Sequence, residues 1–166
     1  MESLLKELKH RIHQQQRLYQ TLLDLFTAER SAILVSDVER LNRIVGDKER
    51  VLQDIGKVEV RRRHTTEQLA RRLHGDAQIT NLTRLCGLIE EPWATELASA
   101  GQELKSLVAT IQTASERNRS LCLHALQFVN GSIRMITNLI DPDLVYHSSG
   151  KLGHERPVGR MLSGAA

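Results

Sequence analysis

Apolar residues in the first segment fall at Leu4, Leu5, Leu8, Ile12, Tyr19, Leu22, Leu23, Phe26 and Ile33. Their steps are mostly three, four or seven, the period of one face of an α-helix. This pattern predicts an amphipathic helix ending near Val35. Ser36 then stands three residues before Glu39, a capping-box spacing that predicts the start of a second helix. That helix carries Val38, Leu41, Ile44, Val45, Val51, Leu52, Ile55, Val58, Leu69 and Leu73. Gly46 and Gly56 lie inside it, each costing about 1 kcal/mol relative to Ala, so a bend is allowed. Gly75 after His74 reads as a C-terminal stop. The short join at 35–37 makes the two helices an antiparallel hairpin.

Residues 76–90 are less regular. Thr80 is placed to cap a short helix containing Leu82, Leu85, Leu88 and Ile89. Glu90, Glu91 and Pro92 form a start signal, Pro at the first helical position with acids beside it. No further proline occurs until Pro142, which predicts one helix from Pro92 to Ile140, about 70 Å long at 1.5 Å per residue. Asp141 and Pro142 end it. The remaining residues have no periodic apolar pattern and hold four of the ten glycines, which predicts a flexible tail. The expected architecture is all-α: a helical hairpin packed on one long C-terminal helix, an elongated bundle of three to four helices. A single helical domain over 1–141 is followed by a tail over 142–166.

The long helix changes character along its length. One stripe runs Trp93, Leu97, Leu104, Leu107, Val108, Ile111, Cys122, Ala125, Leu126, Val129, Ile133, Ile136 and Ile140, the expected core face. Beyond Asn118 a second stripe appears beside it, at Leu121, Phe128, Met135 and Leu139. One face can pack on the hairpin, and the other needs a partner. The first helix or the short helix near 81–89 is one candidate cover. A segment of another protein, seated as a helix, is a second. A second copy of the chain is the third.

Composition supports this reading. Prolines number three, aromatics make up 3%, and Leu, Gln, Glu, Arg and Ala dominate. Residues 1–75 hold 15 Lys/Arg against 11 Asp/Glu, and residues 76–141 hold 5 against 7. That asymmetry is too small to imply a nucleic-acid partner. Lys6, Lys9, Arg11 and Arg17 interrupt the leucines of the first twenty residues, so no signal peptide is expected there. No apolar run reaches membrane-spanning length, and Cys86 and Cys122 read as reduced thiols in a cytoplasmic protein.

Candidate chemistry is sparse. His10 and His13 are three apart on one helix, but no third ligand stands near them in sequence. The run Arg61-Arg62-Arg63-His64 with Arg71-Arg72 lacks interleaved aromatics and reads as a solvated helix end. No glycine-rich phosphate loop, serine elbow, CxxC or HExxH is present. The expectation is a binding protein with no enzyme activity, no cofactor and no metal.

Several positions carry a family resemblance. Glu29, Ala32 and Leu34 close the first helix, and Asp37, Leu41, Ile44, Lys48, Glu49 and Leu52 follow. Asn118 opens the widened section, and Tyr146 precedes His147, Ser148, Ser149 and Gly150. Over roughly residues 4–152 this arrangement resembles the FlgN-type flagellar export chaperones. Position 147 departs from the pattern, holding His where the family often has Gly. The resemblance implies a cytoplasmic chaperone that binds hook–filament junction proteins and delivers them to the flagellar type III export apparatus. It implies client binding by the C-terminal part of the long helix, where Leu121, Phe128, Met135 and Leu139 lie. It also implies that Tyr146 docks on the cytoplasmic domain of the export gate. The alternative is a helical adaptor that self-associates through the second stripe, with no export role.

Overall fold

Four helices and one short strand pair make up the described residues of the computed structural model, which are 1–74, 82–140, 144–146 and 152–154. The helices are α1 (Glu2–Leu34), α2 (Val38–His74), α3 (Leu82–Cys86) and α4 (Trp93–Ile140); the strands are β1 (Leu144–Tyr146) and β2 (Leu152–His154). The all-helical architecture expected from the apolar period is the one observed. The expected signals at Gly75, Thr80 and Asp141-Pro142 lie outside the described residues. The chain divides into two compact units, 1–121 and 122–166, and each is described by itself.

In the first unit, α1 and α2 join through a turn of three residues. Ser36 N–H donates to the Ile33 carbonyl at 3.1 Å and Asp37 N–H to that of Ala32 at 3.0 Å. This is the Schellman pattern, with Ser36 left-handed at φ 55° where glycine is usual. The cap of α2 differs from the expected one. Asp37, not Ser36, accepts the Arg40 N–H through its Oδ1 at 2.9 Å. Ser36 is already committed to closing α1, so the next short polar residue caps α2.

The two helices run antiparallel, with Gln15 reaching Glu59 and Glu29 reaching Lys48. α4 runs parallel to α1. Lys9 Nζ lies 2.8 Å from Glu96 Oε2, Gln16 donates to the Ala100 carbonyl at 2.9 Å, and Asn118 donates to the Phe26 carbonyl at 2.7 Å. Leu5, Leu8 and Ile12 of α1 pack with Leu69 of α2, Leu85 of α3, and Leu97 and Ala100 of α4. Further along, Leu22, Ile55 and Ile111 bring α1, α2 and α4 together. Each such fully buried Leu or Ile contributes about 1.5–3 kcal/mol. α3 is therefore committed to the first half of α4.

α4 starts at Trp93, one residue after Pro92, whose carbonyl accepts the Glu96 N–H at 3.1 Å. The Glu91 carboxylate accepts from the Thr95 N–H and hydroxyl in the first turn, where the helix dipole favours an acid. The helix is continuous through Gly101 and Gly131. At Gly101 the missing side chain has a use, since a Cβ there would stand 2.7 Å from Leu82 Cδ2.

The second unit holds the rest of α4 and the strand pair. β1 and β2 are antiparallel, with Leu144 opposite His154, Val145 opposite Gly153 and Tyr146 opposite Leu152. The region expected to lack regular structure thus contains a short ladder. Val145 and Tyr146 suit it because β-branched and aromatic residues favour extended backbone.

Candidate partner-binding face

Residues 122–139 of α4 contain no buried side chain. At 100° per residue, Met135, Phe128, Leu139, Ile136, Val129, Ile133 and Leu126 sweep about half of the helix circumference. Phe128 is 76% exposed, Met135 67% and Leu139 75%. Leu121, the fourth residue of the expected binding stripe, is only half-buried and ends the first unit.

The expected core stripe is corrected by the same observation. Leu97 and Ile111 are buried, but Leu126, Val129, Ile133 and Ile136 are all exposed. Periodicity shows which positions share a face, and it does not show how far a neighbouring helix extends. Among the described residues, the exposed apolar surface beyond Leu121 is wider than the stripe first identified. Sequence reasoning missed Leu123, Leu126 and Val129 as accessible residues for that reason.

A buried polar cluster stands immediately before this surface. Asn118, 5% exposed, donates from Nδ2 to the Phe26 carbonyl at 2.7 Å and to Glu29 Oε2 at 2.9 Å. Lys48 Nζ meets Glu29 Oε1 at 2.5 Å and lies 4.6 Å from the centroid of the Phe26 ring. Three of the positions that carry the family resemblance, Glu29, Lys48 and Asn118, thus converge on one point where α1, α2 and α4 meet. Charge-assisted bonds of this kind fix the relative register of the helices.

A second polar cluster joins α1 to α2. Gln15 donates to Glu59 at 2.7 Å, and Arg62 and Arg63 both bind the same carboxylate. Burial pushes the Glu59 carboxyl up, but hydrogen bonds from Gln15 and Arg63 and the charge of Arg62 outweigh it and hold the group below its ordinary value. Burial, with Glu59 nearby, raises Tyr19. Two of the three consecutive arginines of α2 are thus engaged in pairing.

His10 and His13 gain no third ligand among the described residues, where no group of three potential metal ligands occurs. His13 Nδ1 lies 2.8 Å from Gln16 Oε1. Cys86 and Cys122 are free thiols, and burial raises the Cys86 group. Tyr146 closes β1 opposite Leu152, and its side chain lies outside the described atoms. No helix among the described residues is long and apolar enough to cross a membrane.

No curated protein and no solved structure matches the chain. The family model described as FlgN protein matches residues 1–154. That span includes all four helices and both strands, and the chain accordingly belongs to the FlgN family of flagellar export chaperones.

Proposed function

We propose that this chaperone works in the cytoplasm on the hook–filament junction proteins of the flagellum. It holds their C-terminal segments on α4 between Leu121 and Leu139 and delivers them to the type III export apparatus. The observation that carries this reading is the open apolar arc through Phe128, Met135 and Leu139. An exposed apolar surface of this width on a folded protein marks a partner site. A client segment without structure of its own folds as a helix against such an arc. The ordering entropy it loses keeps binding moderate and reversible, which suits a carrier that must release its cargo. Tyr146 is the residue proposed to touch the cytoplasmic domain of the export gate.

The test is titration calorimetry of the full chain against C-terminal segments of the junction proteins from the same organism. Saturable binding with a negative heat-capacity change, lost in Phe128→Glu/Met135→Glu, is expected. Sedimentation of the free chain decides the competing reading. A tight dimer dissociated by the same substitutions, with no heat from any segment, assigns the arc to self-association.

A further inference from the structure

The first unit carries an open groove, a cavity of about 450 Å³ between the parallel helices α1 and α4. One wall is Leu23, Phe26, Thr27 and Arg30, and the other is Thr110, Thr113, Ala114 and Arg117. Both walls have the spacing i, i+3, i+4, i+7, so each is one face of its helix. The walls span seven residues, about 10 Å or two helical turns.

The chemistry of the groove is one-sided. Leu23, Phe26 and Ala114 supply an apolar floor. Because α1 and α4 are parallel and meet at Glu29 and Asn118, Arg30 and Arg117 stand at the same end of the groove. Both are exposed, and neither makes an ion pair among the described residues. Glu29, next to Arg30 in sequence, is occupied by Lys48 and Asn118. The hydroxyls of Thr27, Thr110 and Thr113 donate to the carbonyls of Leu23, Ser106 and Ala109 in their own helices. Their oxygens remain as acceptors only.

We propose that the α1–α4 groove is a second docking site, which takes a short amphipathic helix of a partner protein bearing Asp or Glu side chains at the Arg30/Arg117 end. Charge complementarity names the occupant. Two guanidiniums that make no ion pair among the described residues call for carboxylates, and the floor calls for a small number of apolar side chains. A phosphodiester backbone fits less well, because it brings no apolar group to the floor. The inference does not depend on the export reading, since every residue it uses lies in the first unit.

The probe is a fluorescein-labelled peptide of Ala, Leu and Glu, about 14 residues long because shorter isolated helices do not persist. A counterpart has Gln for every Glu. Anisotropy titrations use the full chain, the groove variant Arg30→Gln/Arg117→Gln, and a control variant Arg40→Gln/Arg43→Gln that removes the same charge from the exposed side of α2. Circular dichroism verifies that each variant keeps its helix content. Saturable binding of the Glu peptide is expected, weakened about tenfold or more in the groove variant and in the Gln peptide, as loss of one charge-assisted contact predicts. The control variant is expected to bind as the parent does. Equal weakening by the control, equal affinity for the Gln peptide, or no binding by the parent overturns the proposal. So does a dimer of the free chain that Arg30→Gln/Arg117→Gln dissociates, which assigns the groove to a second copy.

Discussion

Asn118 Nδ2 stands 2.9 Å from Glu29 Oε2 across 89 residues of sequence. The amide bridges the last turns of α1 to the middle of α4, and the same carboxylate holds Lys48 of α2. Removing Asn118 takes one donor from the half-buried Glu29 carboxylate, which keeps Lys48. Asn118→Ala is expected to destabilise the chain by about 1–3 kcal/mol in chemical denaturation, the usual cost of an orphaned buried polar group. Asn118→Asp sets a second carboxylate beside Glu29 and is expected to cost more than Asn118→Ala at neutral pH. If both variants unfold with the parent, the cluster contributes nothing to register.

Ser36 has the reverse sign. It is held at φ 55°, where a Cβ is unfavourable and glycine is not. Ser36→Gly is expected to raise stability by about 1 kcal/mol, seen as a higher denaturation midpoint with an unchanged slope. A loss of stability would show that the serine side chain has a role that the turn geometry does not account for.

Glu59 gives the acid side of the stability profile. Its folded-state carboxyl lies below the ordinary value of 4.5, so it binds protons less readily when folded than when unfolded. Its contribution is present above the unfolded value and disappears as pH falls through the folded one. Thermal melts are expected to drop as pH is lowered from 5 toward 3. Glu59→Gln is expected to lower the melt at neutral pH and to flatten that drop. An unchanged acid limb would assign it to other carboxylates.

Tyr146 and the α4 arc separate in a motility assay. Tyr146→Ala is expected to leave junction-protein binding unchanged while reducing swimming. Phe128→Glu/Met135→Glu is expected to abolish both. Loss of binding in Tyr146→Ala would move the tyrosine from delivery to cargo recognition.

The helices and their faces were legible because leucine spacing on an amphipathic helix is set by the helix period itself. The hairpin followed from the short join at 35–37, and the long last helix from the absence of proline between 92 and 142. The cap was misplaced by one residue. Ser36 and Asp37 are equally good caps, and the difference arises in the preceding helix, which draws Ser36 into its own end. The second stripe was found at Phe128, Met135 and Leu139, yet Leu126 and Val129 were assigned to the core. Their periodicity is that of buried residues, and exposure depends on a neighbour's length, which no local window contains. The Arg30/Arg117 groove went unseen for a related reason. Its two walls are 87 residues apart in sequence, and each arginine alone looks like ordinary surface charge.

The stretch from Cys122 to Leu139 has no side chain buried among its own chain's residues. Folding places almost no demand on the identity of those side chains beyond helix propensity. If the arc is the client site proposed above, substitutions there can change which cargo is preferred without loss of a folded carrier, whereas Leu8, Leu69 and Leu97 are buried and have no such latitude. On that reading, the inheritance of shape and the inheritance of selectivity lie in separate stretches of sequence, and the two can evolve at different rates.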